Sequence, residues 1–402
     1  MIPRTHPFLH MHDLAAVLRP RGAESLQEQC IQGIREITGL RHVLLFPFAR
    51  SAILTVLTAL RINGKRIVIP GYTCKVVAEA VLLSGNKPVF CDINQDKWTL
   101  DLDALGEDVE GFAAVIPTLL YGTPVDDVQR YSRLAESGTF VVEDAAMAFG
   151  SRELLAHKID YSCAVFSFNI GKTLSCIEGG ALATNNTEVY QAVKRHVQQR
   201  FMSTPLAYEA MLLAKLATIV VGYNDVVYPF VWKLKNLQMV KERVVHDTQL
   251  HISSDTFRER LLTRLQMTLL VSQLQRFGEE SLLRRRAFGA LKGALKGIRG
   301  IELPDHIDVN ASCFPILVAN GRKKSFKAAL LARGVETYPA WDYALTRLPE
   351  YCRASSSRPL CPVSEDLAER IVCLPFYANL TEQRVATVAQ ACSRAAMETL
   401  NG

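Results

Sequence analysis

Two short segments carry residue types that could act together on a carbonyl compound. In Val141-Val142-Glu143-Asp144-Ala145-Ala146 an apolar run delivers a carboxylate followed by small residues. Ligands of open α/β sheets bind beyond the carboxyl ends of strands. An aspartate there could pair with the protonated ring nitrogen of a pyridine-type cofactor and keep that ring an electron sink, although a buried aspartate that caps a helix or closes a turn has the same local sequence. In Phe166-Ser167-Phe168-Asn169-Ile170-Gly171-Lys172 a lysine follows a second apolar run, close to Gly171, Gly179 and Gly180. An amine held in a partly desolvated pocket has a lowered pKa and attacks aldehydes as a nucleophile; the alternative is a solvent-exposed turn lysine. Ser167 could donate its hydroxyl to a phosphate. A third segment, Phe48-Ala49-Arg50-Ser51-Ala52-Ile53, enters an apolar helix with Ser51 in a position to cap it. The N–H groups and dipole of a helix start suit a phosphate, and an ordinary N-cap explains Ser51 equally well.

The elements that must position these residues are those of an α/β protein. From residue 43 to 190 short apolar runs alternate with helix-like stretches, the pattern of a mostly parallel sheet covered by helices on both faces. Strands are expected at residues 66–69, 88–91, 114–117, 140–143 and 164–168. Between about 200 and 256 the pattern becomes an irregular apolar insertion, with an apolar stretch at 211–222 followed by Tyr223, Tyr228, Pro229, Phe230 and Trp232. Twelve residues interrupted by Lys215 fall short of the roughly 20 that span a bilayer, so a buried or interface helix is expected, with contact to a membrane surface as the alternative. Residues 257–295 read as a long connecting helix, with Leu261, Leu262, Leu265, Leu269 and Leu270 on one apolar face. A strand at 314–318 and a helix at 324–333 ending at Gly334 follow. This divides the chain into a large domain, 1–295, and a smaller C-terminal α/β domain, 296–402.

With 402 residues, 49% of them apolar and 21% charged, the chain can bury an extensive interior and is not disordered. The formal charge of +6 favours an anionic ligand. Its short basic runs at 284–286 and 322–324 read as solvated faces, and no nucleic-acid-reading motif accompanies them. The ten cysteines form no Cys-x-x-Cys pair and read as reduced thiols. Pro3, Pro7, three histidines and Asp13 break any signal-peptide-like run near the start, so a cytoplasmic location is the default. No metal site is expected, because His42, His157, His246 and His251 lack matched ligand spacing.

In order along the chain, Ile2-Pro3, Val68-Ile69-Pro70-Gly71-Tyr72-Thr73, Gly85-Asn86-Lys87-Pro88-Val89-Phe90-Cys91-Asp92, Leu120-Tyr121-Gly122, Glu143-Asp144-Ala145-Ala146, Ser167 to Lys172, Arg333-Gly334-Val335-Glu336-Thr337 and Cys373-Leu374-Pro375 resemble the DegT/DnrJ/EryC1/StrS sugar aminotransferases. These belong to the fold-type-I class of enzymes dependent on pyridoxal 5′-phosphate (PLP). The resemblance implies that Lys172 is the Schiff-base lysine, Asp144 the partner of the pyridine nitrogen and Ser167 a phosphate ligand. Ser51 and the Ala52 amide match the family's phosphate-binding Gly-Thr-Ala turn. It also implies a homodimer with the active site at the subunit interface. Trp341, Tyr338 and Tyr343 lie in a loop that resembles the family's substrate-facing segment. Several positions depart from the pattern. Cys74 stands where an aromatic residue commonly stacks on the cofactor ring, Met147 where a Gln or His is frequent, and Arg50 where glycine is usual. An Asn-x-Arg segment that reaches the neighbouring subunit's phosphate has only a partial counterpart in Gly222-Tyr223-Asn224, with Val226 in place of the arginine.

The activity so implied is transfer of an amino group from an amino acid donor, glutamate or another, to a keto group of a nucleotide-linked sugar for surface polysaccharide or antibiotic-sugar synthesis. Lys172 distinguishes the chain from family relatives in which histidine replaces the lysine and dehydration is catalysed. Alternatives are a PLP enzyme acting on another carbonyl compound and a non-catalytic or regulatory protein that kept the fold, which Cys74 and Met147 prompt.

Overall fold

The computed structural model describes residues 1–19, 22–105, 111–151, 153–224, 227–235, 259–339, 341–354 and 360–400. His246, His251 and Val226 lie outside the described residues, as does 236–258 of the expected insertion. Seven strands, β1 (His42–Phe46), β2 (Arg66–Pro70), β3 (Lys87–Cys91), β4 (Ala114–Val115), β5 (Phe140–Asp144), β6 (Ser162–Ser167) and β7 (Gly180–Thr184), form one sheet in the order β1-β7-β6-β5-β4-β2-β3. Strands β3, β2, β4, β5 and β6 are mutually parallel, and β7 runs antiparallel to both β6 and β1. The five strands expected from the apolar runs are all present. Strands β1 and β7 were not among the strands expected, and the reversed direction of β7 has no mark in its sequence.

Side chains alternate across the sheet with a period of two. Val68, Val141, Ala164 and Phe166 enter one core, with the helices Ala23–Thr38, Val128–Glu136, Leu206–Gly222 and Arg264–Gln275. Ile67, Ile69, Phe140, Val142, Cys163 and Val165 enter the other, with the helices Ala49–Ala59, Lys75–Leu83 and Thr187–Arg200. Because both faces are covered, the strands read as nearly continuous apolar runs.

A second sheet, β8 (Ile301–Glu302), β9 (Phe314–Val318) and β10 (Ile371–Leu374), is antiparallel in the order β10-β9-β8. Its core is completed by the helices Lys323–Ala332 and Glu382–Thr399 and by Ala287, Leu291 and Leu295 of the helix Phe277–Leu295. Ile2 joins the same core, its amide donating to the Gly334 carbonyl at 2.7 Å beside a parallel bridge to Val335.

Two expectations are corrected. The long connecting helix is two helices, Arg264–Gln275 and Phe277–Leu295. Thr263 starts the first with a capping box to Gln266, and the break falls at Arg276, whose guanidinium is drawn 2.7 Å from the buried Asp13 carboxylate. The apolar stretch at 211–222 is helical, as expected, within the helix Leu206–Gly222, which buries Leu212, Leu216, Ile219 and Gly222. No helix among the described residues is long and apolar enough to cross a membrane. Finally, the basic runs are only partly solvated. Arg284 is buried, donates to the Ala311 and Val309 carbonyls and lies over the Phe376 ring, 4.6 Å from its centre. Lys323 is buried with its ammonium on the Ala368 carbonyl (2.7 Å) and on Asp342 (2.6 Å).

Two close fits around the large sheet yield tests. A Cβ on Gly180 would lie 2.5 Å from the Ala49 nitrogen and 2.7 Å from the Phe48 carbonyl carbon, both backbone atoms that cannot swing aside. Gly180→Ala should therefore lower stability by about 1–3 kcal/mol in chemical denaturation. Glu143, fully buried in β5, accepts the Leu155 amide with both oxygens (3.1 and 3.0 Å). Burial pushes its carboxyl up to about 8 from 4.5, against the opposing pull of the Leu155 and Ala156 amides. The folded state then holds a proton that the unfolded state has lost, so this group's contribution to stability falls as pH rises from 4.5 to 8 and is constant beyond. Thermal melts should show wild type losing ground to Glu143→Gln across that window; parallel pH profiles would refute the assignment.

Candidate active site

The carboxyl ends of β2, β4, β5 and β6 lie along one edge of the large sheet, and the residues that leave them line a cavity of about 280 Å³. That is close to the lower end of small-molecule sites. Cys74 comes from the segment after β2, Thr118 and Tyr121 from that after β4, Asp144 and Met147 from β5 and its turn, and Ser167, Asn169 and Lys172 from β6 and the loop beyond. Phe48, Ala49, Arg50 and Ile53 contribute from the start of the helix Ala49–Ala59. Cys313, Tyr338, Pro339 and Trp341, from segments flanking the second sheet, close the outer side.

Asp144 is placed by its backbone. Its amide donates to the Pro117 carbonyl (2.8 Å), its carbonyl accepts the Leu119 amide (3.0 Å), and its Oδ1 accepts the Ala146 amide (3.1 Å). Burial raises the carboxyl above its ordinary value, and the Ala146 hydrogen bond and the Lys172 charge pull it back. Lys172 follows Gly171, whose φ of +90° turns the loop. Burial lowers the ammonium below the ordinary lysine range, opposed first by the charge of Asp144. Among the described residues neither group takes part in an ion pair within 4.0 Å, so both present their charges to the cavity rather than cancelling in contact.

The loop that carries the lysine is anchored at several points. The Phe168 amide donates to Gly179, and the Cys176 amide to Phe168. The Thr173 hydroxyl donates to the Asn310 carbonyl at 2.7 Å, tying the loop to the segment that leads into β9. Tyr338 packs where any side chain on Gly171 would stand, 3.2 Å from that point. On the opposite wall Tyr121 adopts φ 53° and ψ 30°, a left-handed conformation that costs a non-glycine residue on the order of 1–3 kcal/mol. It is held by its carbonyl on the Asp308 amide (3.2 Å) and its hydroxyl on that of Tyr72 (3.2 Å). Beneath it the Thr73 and Thr118 hydroxyls share a 2.7 Å bond.

The expected site residues Lys172, Asp144, Cys74, Met147 and Ser167 are thus brought to one cavity. Cys74 is the cap residue of the helix Lys75–Leu83, and burial raises its thiol, so it offers a compact neutral wall rather than a thiolate. Ser51 and Ala52 stand one layer behind. The helix begins at Ala49 with the extended Phe48 as its cap, so the expectation that Ser51 caps it is corrected. Gly180 of β7 packs closely against the Phe48–Ala49 peptide at that boundary. Ser51 is 1% exposed and its Oγ has no hydrogen-bond partner among the described residues, while the Ala52 amide is held by the Phe48 carbonyl at 3.3 Å. Of the aromatic residues in the outer loop, Tyr338 and Trp341 line the cavity. Tyr343 instead receives the Lys75 amide on its hydroxyl (3.1 Å). His42 stacks on Tyr190, and His157 bonds the Thr38 carbonyl. Sequence reasoning assigned no role to Asn169 or Cys313. Asn169 is two residues from Ser167 and could have been found from that spacing; a lone Cys313 carried no signal.

These residues fit PLP. An amine and a carboxylate face one cavity, and at one end a helix start supplies first-turn amides that lack intrahelical partners beside an orphaned buried hydroxyl on Ser51.

Comparison with known proteins agrees with this geometry. A transaminase of Escherichia coli, dTDP-4-amino-4,6-dideoxy-D-glucose transaminase, is 26% identical over 88% of this chain and 86% of its own length. UDP-2-acetamido-2-deoxy-3-oxo-D-glucuronate aminotransferase of Pseudomonas aeruginosa is 27% identical over 82% of this chain and 79% of its own. Among solved structures, the aminotransferase TlmJ from Streptoalloteichus hindustanus superimposes with a TM-score of 0.76 at 19% identity over 99% of both chains. Helicobacter pylori PseC, an aminotransferase involved in pseudoaminic acid biosynthesis, does so with 0.74 at 20% identity, again over 99% of both. The sequence matches the family pattern from residue 27 to 393, and on these grounds the chain belongs to the DegT/DnrJ/EryC1/StrS aminotransferase family.

Proposed function

We propose that this chain is a PLP-dependent aminotransferase that moves an amino group from an amino acid, glutamate in the first instance, to the keto group of a nucleotide-linked sugar. The observation that carries this reading is the convergence of Lys172 and Asp144 on one cavity at the carboxyl edge of the sheet. The two curated relatives support the acceptor class, since each is named for a sugar carried on dTDP or UDP. In this reading residues 1–295 form the large cofactor-binding domain, and the small domain, 296–402, supplies the outer wall. The enzyme works as a homodimer in the cytoplasm, where ten free thiols suit a reducing environment.

When bound, PLP supplies an electron sink that stabilises negative charge on the donor's α-carbon. Lys172 would hold the group through Nζ, and that nitrogen, when free, would serve as the base that takes the proton from the donor's α-carbon and, in the opposite half-reaction, as the acid that supplies one to the acceptor's carbon, roles suited to an amine whose pKa burial has lowered. Asp144 keeps the ring nitrogen protonated, its own charge steadied by the Ala146 amide. Ser167 and the start of the helix Ala49–Ala59 receive the phosphate. Cys74 and Met147, which line the cavity, would pack against the group, and Tyr338 and Trp341 would limit the entry of water and acceptor.

The purified protein should be yellow and be bleached by borohydride, whereas Lys172→Ala should be colourless after dialysis. Asp144→Asn should keep the colour but lose about 10²–10³-fold in the half-reaction with an amino donor, followed spectroscopically. Bound cofactor with no half-reaction across a panel of amino acids would instead favour a non-catalytic protein. Amination of one keto-sugar nucleotide from a panel, read by mass spectrometry, checks the acceptor. Light scattering should give the mass of two chains.

A further inference from the structure

We infer that Asp92 is a positioning residue for the outer wall of the active site: from the large sheet it caps the helix that holds the Trp341 loop in place, and so sets how tightly substrates are bound. This deepens the function proposed above and rests on it. Asp92 follows β3 and Gly71 follows β2, one step beyond the paired Pro70 and Cys91. Asp92 is 6% exposed. Its Oδ1 accepts the Ile93 amide (2.9 Å), the Ser364 amide (2.8 Å) and the Ser364 hydroxyl (2.7 Å), and its Oδ2 accepts the Val363 amide (2.9 Å). Val363 and Ser364 open the nine-residue helix Pro362–Arg370, whose own cap residue, Cys361, makes no side-chain hydrogen bond to it. The amides at the second and third helical positions are those an N-cap side chain ordinarily takes, and the helix dipole favours a carboxylate there. Asp92 supplies that cap from 271 positions earlier in the chain.

The capped helix in turn holds the loop. Glu365 accepts the Thr346 hydroxyl (2.9 Å) and pairs with Arg347 (2.6 Å). The Leu345 amide donates to the Gly71 carbonyl (2.8 Å), and the Tyr343 hydroxyl accepts the Lys75 amide (3.1 Å). Trp341, which lines the cavity, meets the Tyr72 ring edge-on with the ring centres 5.4 Å apart. Gly71 lets the helix start come this close, because a Cβ there would lie 2.9 Å from both the Cys361 Cβ and the Ser364 Oγ. Asp144 and the Lys172 loop are held instead by the bonds to Pro117, Leu119, Ala146, Gly179 and Asn310 described above. Loosening the cap therefore shifts the wall that substrates meet and leaves the reacting groups where they are. A loss of that kind is read in KM rather than in kcat.

The test uses the full-length holoenzyme and L-glutamate, with the half-reaction followed by cofactor absorbance. Asp92→Asn keeps the side chain's shape but replaces one acceptor oxygen by an N–H donor. It should raise the half-saturating glutamate concentration by about tenfold or more, the scale for a lost hydrogen bond to a charged group, with the limiting rate within about twofold. Amide hydrogen exchange over residues 341–348, read by mass spectrometry, should speed up in the same variant. Ser364→Ala removes only the hydroxyl bond and should shift both readouts the same way, half-saturation by about twofold to fivefold; it decides the matter where Asp92→Asn does not fold. Half-saturation unchanged in the folded variants, with or without a lower limiting rate, or unaltered exchange over 341–348, overturns the role given to Asp92, because a merely destabilised protein loses active molecules without changing how the rest bind. A wild type that reacts with neither glutamate nor any other amino acid overturns the function itself, a result distinguishable from the former.

Discussion

An amine and a carboxylic acid that have both lost most of their hydration support each other's charge across a gap, and the cavity is built around that pair. Burial lowers the Lys172 ammonium and raises the Asp144 carboxyl, both toward the neutral forms. The charge of each opposes that shift in the other, and for Asp144 the Ala146 amide opposes it as well. In direct contact the two would satisfy one another and leave nothing for a ligand. Held apart on the ends of different strands, they leave a space whose electrostatics require a molecule with an electrophile at one end and a basic nitrogen at the other. The parallel strands, the anchored loop and the left-handed turn at Tyr121 serve to keep that separation.

The outer wall is coupled to the same geometry. Arg284, buried in the helix Phe277–Leu295, donates to the Val309 and Ala311 carbonyls, and the Thr173 hydroxyl takes the carbonyl of Asn310 between them. The lysine loop and the segment that ends at Cys313 are therefore fixed to one short stretch of chain. Asp308 within it also holds Tyr121 through its amide. A shift of the second sheet would be felt at both walls of the cavity, which gives a physical route by which closing over a substrate could reposition the amine.

Much of this was legible in the sequence, and the exceptions share a cause. Asp144, Ser167 and Lys172 could be read because each sits at the end of an apolar run whose direction in a parallel sheet delivers it to the ligand edge. Ser51 was read as a cap from local preference, but the helix starts two residues earlier, at Ala49, where the chain packs against Gly180, about 130 residues away. The basic run at 284–286 looked like a solvated face. Yet Glu280, Arg284, Ala287, Leu291 and Leu295 recur at intervals of four, three, four and four, so helical periodicity already placed Arg284 inward while Arg285 and Arg286 face solvent. The single helix expected over 257–295 is instead two, which meet at Arg276, a residue paired with the distant Asp13 that a local window does not contain. Tyr338 and Trp341 were found through the family resemblance of their loop, whereas Cys313 reaches the cavity only through the tertiary fold, for which a local window holds no signal.

The short parallel bridge between Ile2 and Val335 bears on how the chain assembles. The residues next to it end at Thr5, which packs beside Gly171 and so beside the loop of the reactive lysine. During synthesis that leading strand has nothing to pair with until more than three hundred further residues have left the ribosome, by which time the central sheet can already have condensed. Its docking is thus a late, long-range closure of the kind that slows folding, and the lysine loop acquires its final surroundings only when the second sheet is complete.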